Sequence, residues 1–141
     1  MKERKPIHDN WKTPQWLLSY VERFYMCEDP YFDPCPLNSD FDGLLIEWKD
    51  KNYINPPYNR KVKEAFIRKS FEESKKGKLC VMLLPVSTST KIFHEIIKPN
   101  CEIHFLKGRV KFEGINTKGQ LVNNKCGMHD SMICIFKANN G

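Results

Sequence analysis

The spacing of apolar positions changes along the chain, and each change predicts an element. After Thr13-Pro14, apolar residues recur at Leu17, Leu18, Val21, Phe24 and Tyr25. That spacing predicts an amphipathic helix over about 14–25, with Thr13 as N-cap and Pro14 at the first helical position. Tyr31-Phe32-Asp33-Pro34 is a very short strand candidate, ended by Pro34 and Pro36, and an irregular, turn-rich stretch follows to Trp48. Tyr53-Ile54-Asn55 predicts a second short strand, stopped by Pro56-Pro57. A helix is expected from about Lys61 to Lys76, with a stripe of Val62, Ala65, Phe66 and Phe71, ended by Gly77.

Leu79-Cys80-Val81-Met82-Leu83-Leu84-Pro85 is apolar on both faces, as suits the centre of a sheet covered by helices. Ser87-Thr88-Ser89-Thr90 can cap a further helix with the apolar face Ile92, Phe93, Ile96 and Ile97, which Pro99 should close. Strands are expected over 101–106 and 131–136, with 108–112 extended and 113–130 an exposed loop or hairpin. Alternation of strands and helices predicts an α/β fold. The expected sheet has about five strands, near 31–34, 52–55, 79–84, 101–106 and 131–136. It should be mostly parallel with an antiparallel final strand, and helices should cover both faces.

Length and composition narrow the class. The 141 residues suit one domain, spanning 1–141, with 1–10 expected to be flexible. An apolar fraction of 40% and a charged fraction of 28% describe a globular chain rather than a disordered one. Lys and Arg number 23 against 17 Asp and Glu, a net charge of +6 that favours a polyanionic partner. No apolar run reaches the roughly 20 residues of a membrane span. The charged N-terminus leads into no apolar segment, so no signal peptide is expected and the location should be cytoplasmic. Of six cysteines, Cys80 and Cys134 sit inside apolar runs, and no Cys-x-x-Cys occurs. Reduced thiols and no bound metal are the expectation.

Asn55-Pro56-Pro57-Tyr58 is the segment with chemistry. In open α/β sheets ligands bind beyond the carboxyl ends of strands, where this segment should lie. Two prolines fix φ and donate no N–H, so they offer carbonyls in a preset geometry. Asn55 adds a side-chain acceptor. Together these can grip a planar amino group while Tyr58 stacks on the attached ring. The same residues also describe a Pro-Pro turn closing a strand, with Tyr58 in the core.

Asn-Pro-Pro-Tyr after a hydrophobic strand resembles the motif of methyltransferases that modify amino groups with S-adenosylmethionine. The chain as a whole resembles the phage-type DNA adenine N6-methyltransferases, the phage Dam-like family. The resemblance runs through Trp11-Lys12-Thr13-Pro14-x-Trp16, Phe32-Asp33-Pro34-Cys35-Pro36, Trp48 and Tyr53-Ile54-Asn55-Pro56-Pro57-Tyr58. It continues in Leu83-Leu84-Pro85-Val86 and Lys107-Gly108-Arg109-Val110-Lys111-Phe112, and covers about residues 11–137. It implies a minimal Rossmann-like methyltransferase fold and site-specific methyl transfer to adenine N6 in DNA. If a phage or prophage carries the gene, the place of action is a bacterial host's cytoplasm. RNA or a protein glutamine suits the same tetrapeptide, and a non-catalytic nucleic-acid-binding module is the rival outside the enzymes.

The resemblance also implies roles. Asn55, Pro56, Pro57 and Tyr58 would be catalytic, with the Asn55 side-chain oxygen and the Pro56 carbonyl accepting the two N–H bonds of the adenine amine. Tyr58 would stack on the extruded base. Thr13, Pro14, Asp33, Pro34, Cys35 and Asn55 would contact the cofactor, Asp33 near its methionine ammonium. Arg60, Lys61, Arg109 and Lys111, with Tyr58, would contact DNA. The chain departs from the wider pattern after Asp33-Pro34, where Cys35-Pro36-Leu37-Asn38-Ser39 replaces a Gly-rich loop. Only 22 positions separate Asp33 from Asn55, too few for two strand–helix units, so two usual strands are missing. Asp40 and Asp42 are then the acids available to the cofactor ribose. There is no room for a recognition domain, so target choice is expected from residues 110–130, from residues 35–50 or from a separate recognition partner, and the protein is expected as a monomer or small homo-oligomer.

Overall fold

Leu79–Pro85 forms the strand around which the rest assembles. The computed structural model describes residues 11–36, 39–115, 121–126 and 129–138. In chain order the elements are β1 (Trp11–Lys12), α1 (Gln15–Phe24), β2 (Lys51–Ile54), α2 (Arg60–Lys75), β3 (Leu79–Pro85) and a helical stretch, α3, over 91–100. β4 (Glu102–Phe105), β5 (Lys111–Ile115), β6 (Leu121–Cys126) and β7 (Ser131–Phe136) complete them.

Four strands form an open sheet in the order β2-β3-β7-β4. β2 runs parallel to β3, with Ile54 opposite Met82, while β7 runs antiparallel to both β3 and β4. β2, β3 and β4 therefore point the same way. The sheet differs from expectation in strand number and in parallelism. Two of its three pairings are antiparallel, because the reversed strand β7 is inserted between β3 and β4. The expected strand at 31–34 shrinks to a single parallel bridge between Phe32 and Asn52. Phe32 N–H bonds Lys51 O, and Tyr53 N–H bonds Phe32 O, at 2.8 and 3.0 Å. The ladder stops there because Pro34 has no N–H and the Asp33 carboxylate takes the N–H of Cys35.

Helices cover both faces. Alternate side chains of β3 and β7 divide the core in two. Cys80, Met82, Leu84, Met132, Cys134 and Phe136 pack with Phe66 and Ile67 of α2 and with Ile92, Phe93 and Ile97. Val81, Leu83, Ile133 and Ile135 pack on the other face with Leu17 and Val21 of α1. No helix among the described residues is long and apolar enough to cross a membrane. The segment expected as loop or hairpin contains the antiparallel pair β5–β6, and β1 adds to β5 as the edge of a second, three-stranded sheet. Residues 1–10 lie outside the described residues.

Three element ends differ from expectation. Pro14, not Thr13, is the N-cap of α1, and its carbonyl accepts from Leu17 and Leu18 at 3.1 and 3.2 Å. α2 begins at Arg60, capped by Asn59, whose side chain accepts from the Val62 N–H. Pro99 does not close α3 but sits in its last turn, Lys98–Asn100. The stretch Phe93–Ile97 before it is wound as a π-helix, and Lys98 N–H reaches back to Phe93 O. The wider winding accommodates a ring that has no N–H to give and would crowd the Glu95 carbonyl in a regular helix.

Candidate active site

The carboxyl ends of β2, β3 and β4 share one edge of the sheet, and the segments that leave them carry most of the expected site residues. β2 fixes Asn55 by simple alternation. Tyr53 enters the α1-side core, Ile54 the α2-side core, and Asn55 returns to the α1 side. There Asn55 is only 6% exposed and donates from Nδ2 to Thr13 Oγ1 at 3.1 Å. Thr13 Oγ1 also lies 2.8 Å from the Tyr53 hydroxyl. Thr13 is thus freed from the capping role expected of it and links the N-terminus of α1 to the end of β2. Burial pushes the Tyr53 phenol far above its ordinary pKa, the Thr13 hydrogen bond offsets part of this, and the neighbouring Asp33, Tyr31 and Tyr58 add to it. Tyr53 is a neutral phenol at any ordinary pH.

Pro56 and Pro57 are buried, and Tyr58 is half-buried. Its ring stands edge-to-face to Phe112 at 6.2 Å and to His129 at 6.3 Å. Aromatic groups from three separate segments meet here.

Asp33 follows the Phe32 bridge, one position along from where Asn52 pairs. It is half-buried. Burial raises its carboxyl to about 6, although the Cys35 N–H, 2.8 Å from Oδ1, pulls the other way. Pro34 and Cys35 are buried behind it. Gly43 presses on Pro34 so closely that a Cβ there would fall 1.8 Å from the Pro34 carbonyl oxygen. The Gly43 carbonyl accepts from Trp48 Nε1 at 2.8 Å, and the Trp48 N–H donates to Glu73 Oε1 of α2 at 3.0 Å. Lys78 completes this buried knot, with Nζ 3.0 Å from Glu73 Oε2 and 2.8 Å from the Trp48 carbonyl. Burial alone would raise the Glu73 carboxyl, but the Trp48 N–H and the Lys78 ammonium outweigh it and bring it down to about 2. Of the acids considered for a ribose, Asp42 is buried and its Oδ1 accepts from the Leu44 N–H at 2.9 Å, closing a turn, while Asp40 is exposed.

The expected cations lie around this edge. Arg60 and Lys61 are exposed at the start of α2, and Arg60 pairs with Glu64 at 3.1 Å. Arg109 is exposed and lies 3.5 Å from Asp130, whose carbonyl is held by the Val86 N–H. Lys111 is exposed on β5 beside Phe112. A groove of about 460 Å³ runs between α2 and α3, with Arg60, Lys63 and Lys91 at its rim and Ile67, Phe93 and Met132 among its apolar lining. Burial lowers the Lys63 pKa, Glu64 raises it, and Arg60 lowers it further.

Thr13, Asp33 and Asn55 therefore gather around Tyr53, with Tyr58 beside them and cations on both flanks. Trp16 stands apart, 59% exposed on α1. Tyr53, Phe112, His129 and Gly43 pack into this cluster, and no motif in the sequence singles them out. Tyr53 had a usable signal, since a residue two before Asn55 on a strand shares its face. An amide at the end of a parallel strand, beside an aromatic cluster and a half-buried carboxylate, suits an α/β enzyme that holds a planar amine against a cationic ligand. A family model described as DNA N-6-adenine-methyltransferase (Dam) matches residues 1–140. The chain belongs to that family. No curated protein and no solved structure matches the chain.

Proposed function

We propose that the protein transfers a methyl group from S-adenosylmethionine to the N6 amino group of adenine at specific sites in DNA. The observation that carries this reading is the buried Asn55 amide, held by Thr13 at the head of Pro56-Pro57-Tyr58. The adenine amine is a poor nucleophile because its lone pair is conjugated with the ring. With Nδ2 engaged on Thr13, Asn55 turns its oxygen end away from that hydroxyl, where Oδ1 accepts one amine N–H. The Pro56 carbonyl accepts the other. Two acceptors draw the nitrogen toward a tetrahedral shape and release its lone pair. Tyr58, with Phe112 and His129 around its ring, holds the extruded base by stacking.

The residues fit the cofactor. A half-buried carboxyl raised to about 6 by burial is stabilised as an anion when a cation is placed against it, and the methionine ammonium is such a cation. Asp33 would hold that ammonium, while Thr13, Pro14, Pro34 and Cys35 would wall the pocket around it. The cofactor supplies an electrophilic methyl on a sulfonium. The chain's own part is to align the amine with it and exclude water.

Arg60, Lys61, Arg109 and Lys111 flank the pocket and would meet backbone phosphates, as would the rim of the groove at Lys63 and Lys91. The unit spans 1–141, acts as a monomer or small homo-oligomer in a host cytoplasm, and takes its target choice from 35–50, 110–130 or a recognition partner. The test is direct. DNA is incubated with the protein and cofactor, digested to nucleosides, and read by mass. N6-methyl-2′-deoxyadenosine is expected as the product, and a methylated cytosine or no product would overturn the reading. Sequencing the same DNA gives the site.

A further inference from the structure

An asparagine amide has two ends of opposite character. One donates and the other accepts, and the two orientations occupy nearly the same space. An acceptor for an amine N–H works only with the oxygen turned toward it. Something must therefore decide between the orientations of Asn55.

The Thr13 hydroxyl alone does not decide it. A free hydroxyl can accept from Nδ2 or rotate and donate to Oδ1. The Thr13 hydroxyl is not free, because the Tyr53 phenol lies 2.8 Å from it on another side. All three groups are buried, at 1% for Tyr53, 5% for Thr13 and 6% for Asn55, so water does not substitute for a lost partner. We infer that Tyr53 and Thr13 are a positioning pair: the Thr13 hydroxyl donates its one hydrogen to the Tyr53 phenol oxygen, which leaves only lone pairs facing Asn55 Nδ2 and turns Oδ1 toward the substrate amine. The inference rests on Asn55 being the acceptor for that amine. It assigns a role to a fully buried tyrosine that touches neither base nor methyl donor. It also explains the polar Tyr53–Thr13 pair at a position where phenylalanine opposite valine would fill the space without hydrogen-bonding demands.

The test uses Tyr53→Phe, Thr13→Val and Thr13→Ser in the full chain, with thermal unfolding to confirm the fold. Tyr53→Phe should lower kcat about tenfold and leave KM for DNA within about twofold, because orientation is lost while binding surfaces remain. Thr13→Val should lose at least as much, and Thr13→Ser should recover most of the activity by restoring the hydroxyl. A second readout needs no turnover. The Asn55 side-chain amide, identified by its absence in Asn55→Asp, should give one set of nitrogen-15 NMR resonances in the parent and broadened or doubled ones in Tyr53→Phe. Parental kcat in Tyr53→Phe with an unchanged Asn55 amide overturns the inference. If the parent itself methylates no DNA, the functional reading falls, and the amide resonances then decide the positioning pair by themselves. Should Tyr53→Phe fail to fold, the contrast between Thr13→Val and Thr13→Ser decides it, equal kcat in the two overturning it.

Discussion

Gly43 and Pro34 touch backbone to backbone: a single added carbon on Gly43 would overlap the Pro34 carbonyl oxygen at 1.8 Å. The 39–48 segment thereby becomes the back wall of the Asp33–Cys35 turn. Gly43→Ala must push Pro34 aside. It should weaken cofactor binding at least about tenfold and lower stability by roughly 1–3 kcal/mol. Calorimetric titration with S-adenosylmethionine and thermal unfolding measure the two, and unchanged affinity would detach this wall from the cofactor site.

Asn55→Ala should reduce methyl transfer by about 10²–10³-fold or more, because one of two fixed acceptors for the amine is gone. Cofactor and DNA binding should persist. Single-turnover transfer of labelled methyl to DNA is the measurement, and a parental rate would remove Asn55 from the chemistry.

Tyr58→Ala should weaken binding to DNA carrying an unpaired target adenine by roughly 1–3 kcal/mol through lost stacking. Fluorescence anisotropy reads this directly. Tyr58→Phe, which keeps the ring, should bind like the parent.

Asp33 gives the protein a pH signature. Its folded pKa of about 6 lies above the ordinary carboxylate value, so the folded state holds a proton that the unfolded state has lost. The retained proton favours folding at low pH, and its contribution fades as pH rises through about 6. Asp33→Asn should therefore stabilise the cofactor-free protein by roughly 2 kcal/mol at pH 8 while weakening cofactor binding. In the parent, affinity for S-adenosylmethionine should fall as pH drops below about 6. Thermal unfolding and titrations across pH 5–8 check both halves.

Glu73 behaves in the opposite way. Its folded pKa, about 2, lies below the unfolded value, so its stabilising contribution is present above about pH 4.5 and is lost as pH falls toward 2. Glu73→Ala leaves the Lys78 ammonium with the exposed Glu47 carboxylate, 3.3 Å away, and the Trp48 carbonyl as its partners, and should cost about 1–3 kcal/mol. The acid limb of the unfolding curve should flatten in that variant.

Much of this fold is legible from periodicity. The runs at 79–85 and 131–136 are buried strands, and α1 and α2 follow their apolar stripes. The motif at 55–58 lies at a strand end, where its prolines place it. What periodicity does not carry is tertiary choice. Thr13 precedes a proline and a helix and so resembles a cap, yet its hydroxyl goes to Tyr53 and Asn55, some 40 residues away. Local capping and a long-range hydrogen bond compete for the same oxygen, and only packing shows which wins. The position of β7 is equally invisible along the chain, because an apolar run does not say which edges it joins. The Glu73–Lys78–Trp48 knot is hidden for the opposite reason, since charged residues near a helix end look solvated until their surroundings are known.

The placement of β7 has a consequence for how the molecule is made. Its six residues are all buried, and among the described residues it is the strand that joins β3 to β4. As the chain is synthesised from its N-terminus, β2 and β3 can pair early, but β4 has no neighbour until 131–136 has emerged. Through that interval two strand edges, apolar on β3, stand open to other chains. A nascent chain halted at Asp130 should bind chaperones or aggregate, whereas one that reaches Lys137 with room to clear the ribosome should not. The last strand is the keystone of the sheet, and the molecule's solubility hangs on its arrival.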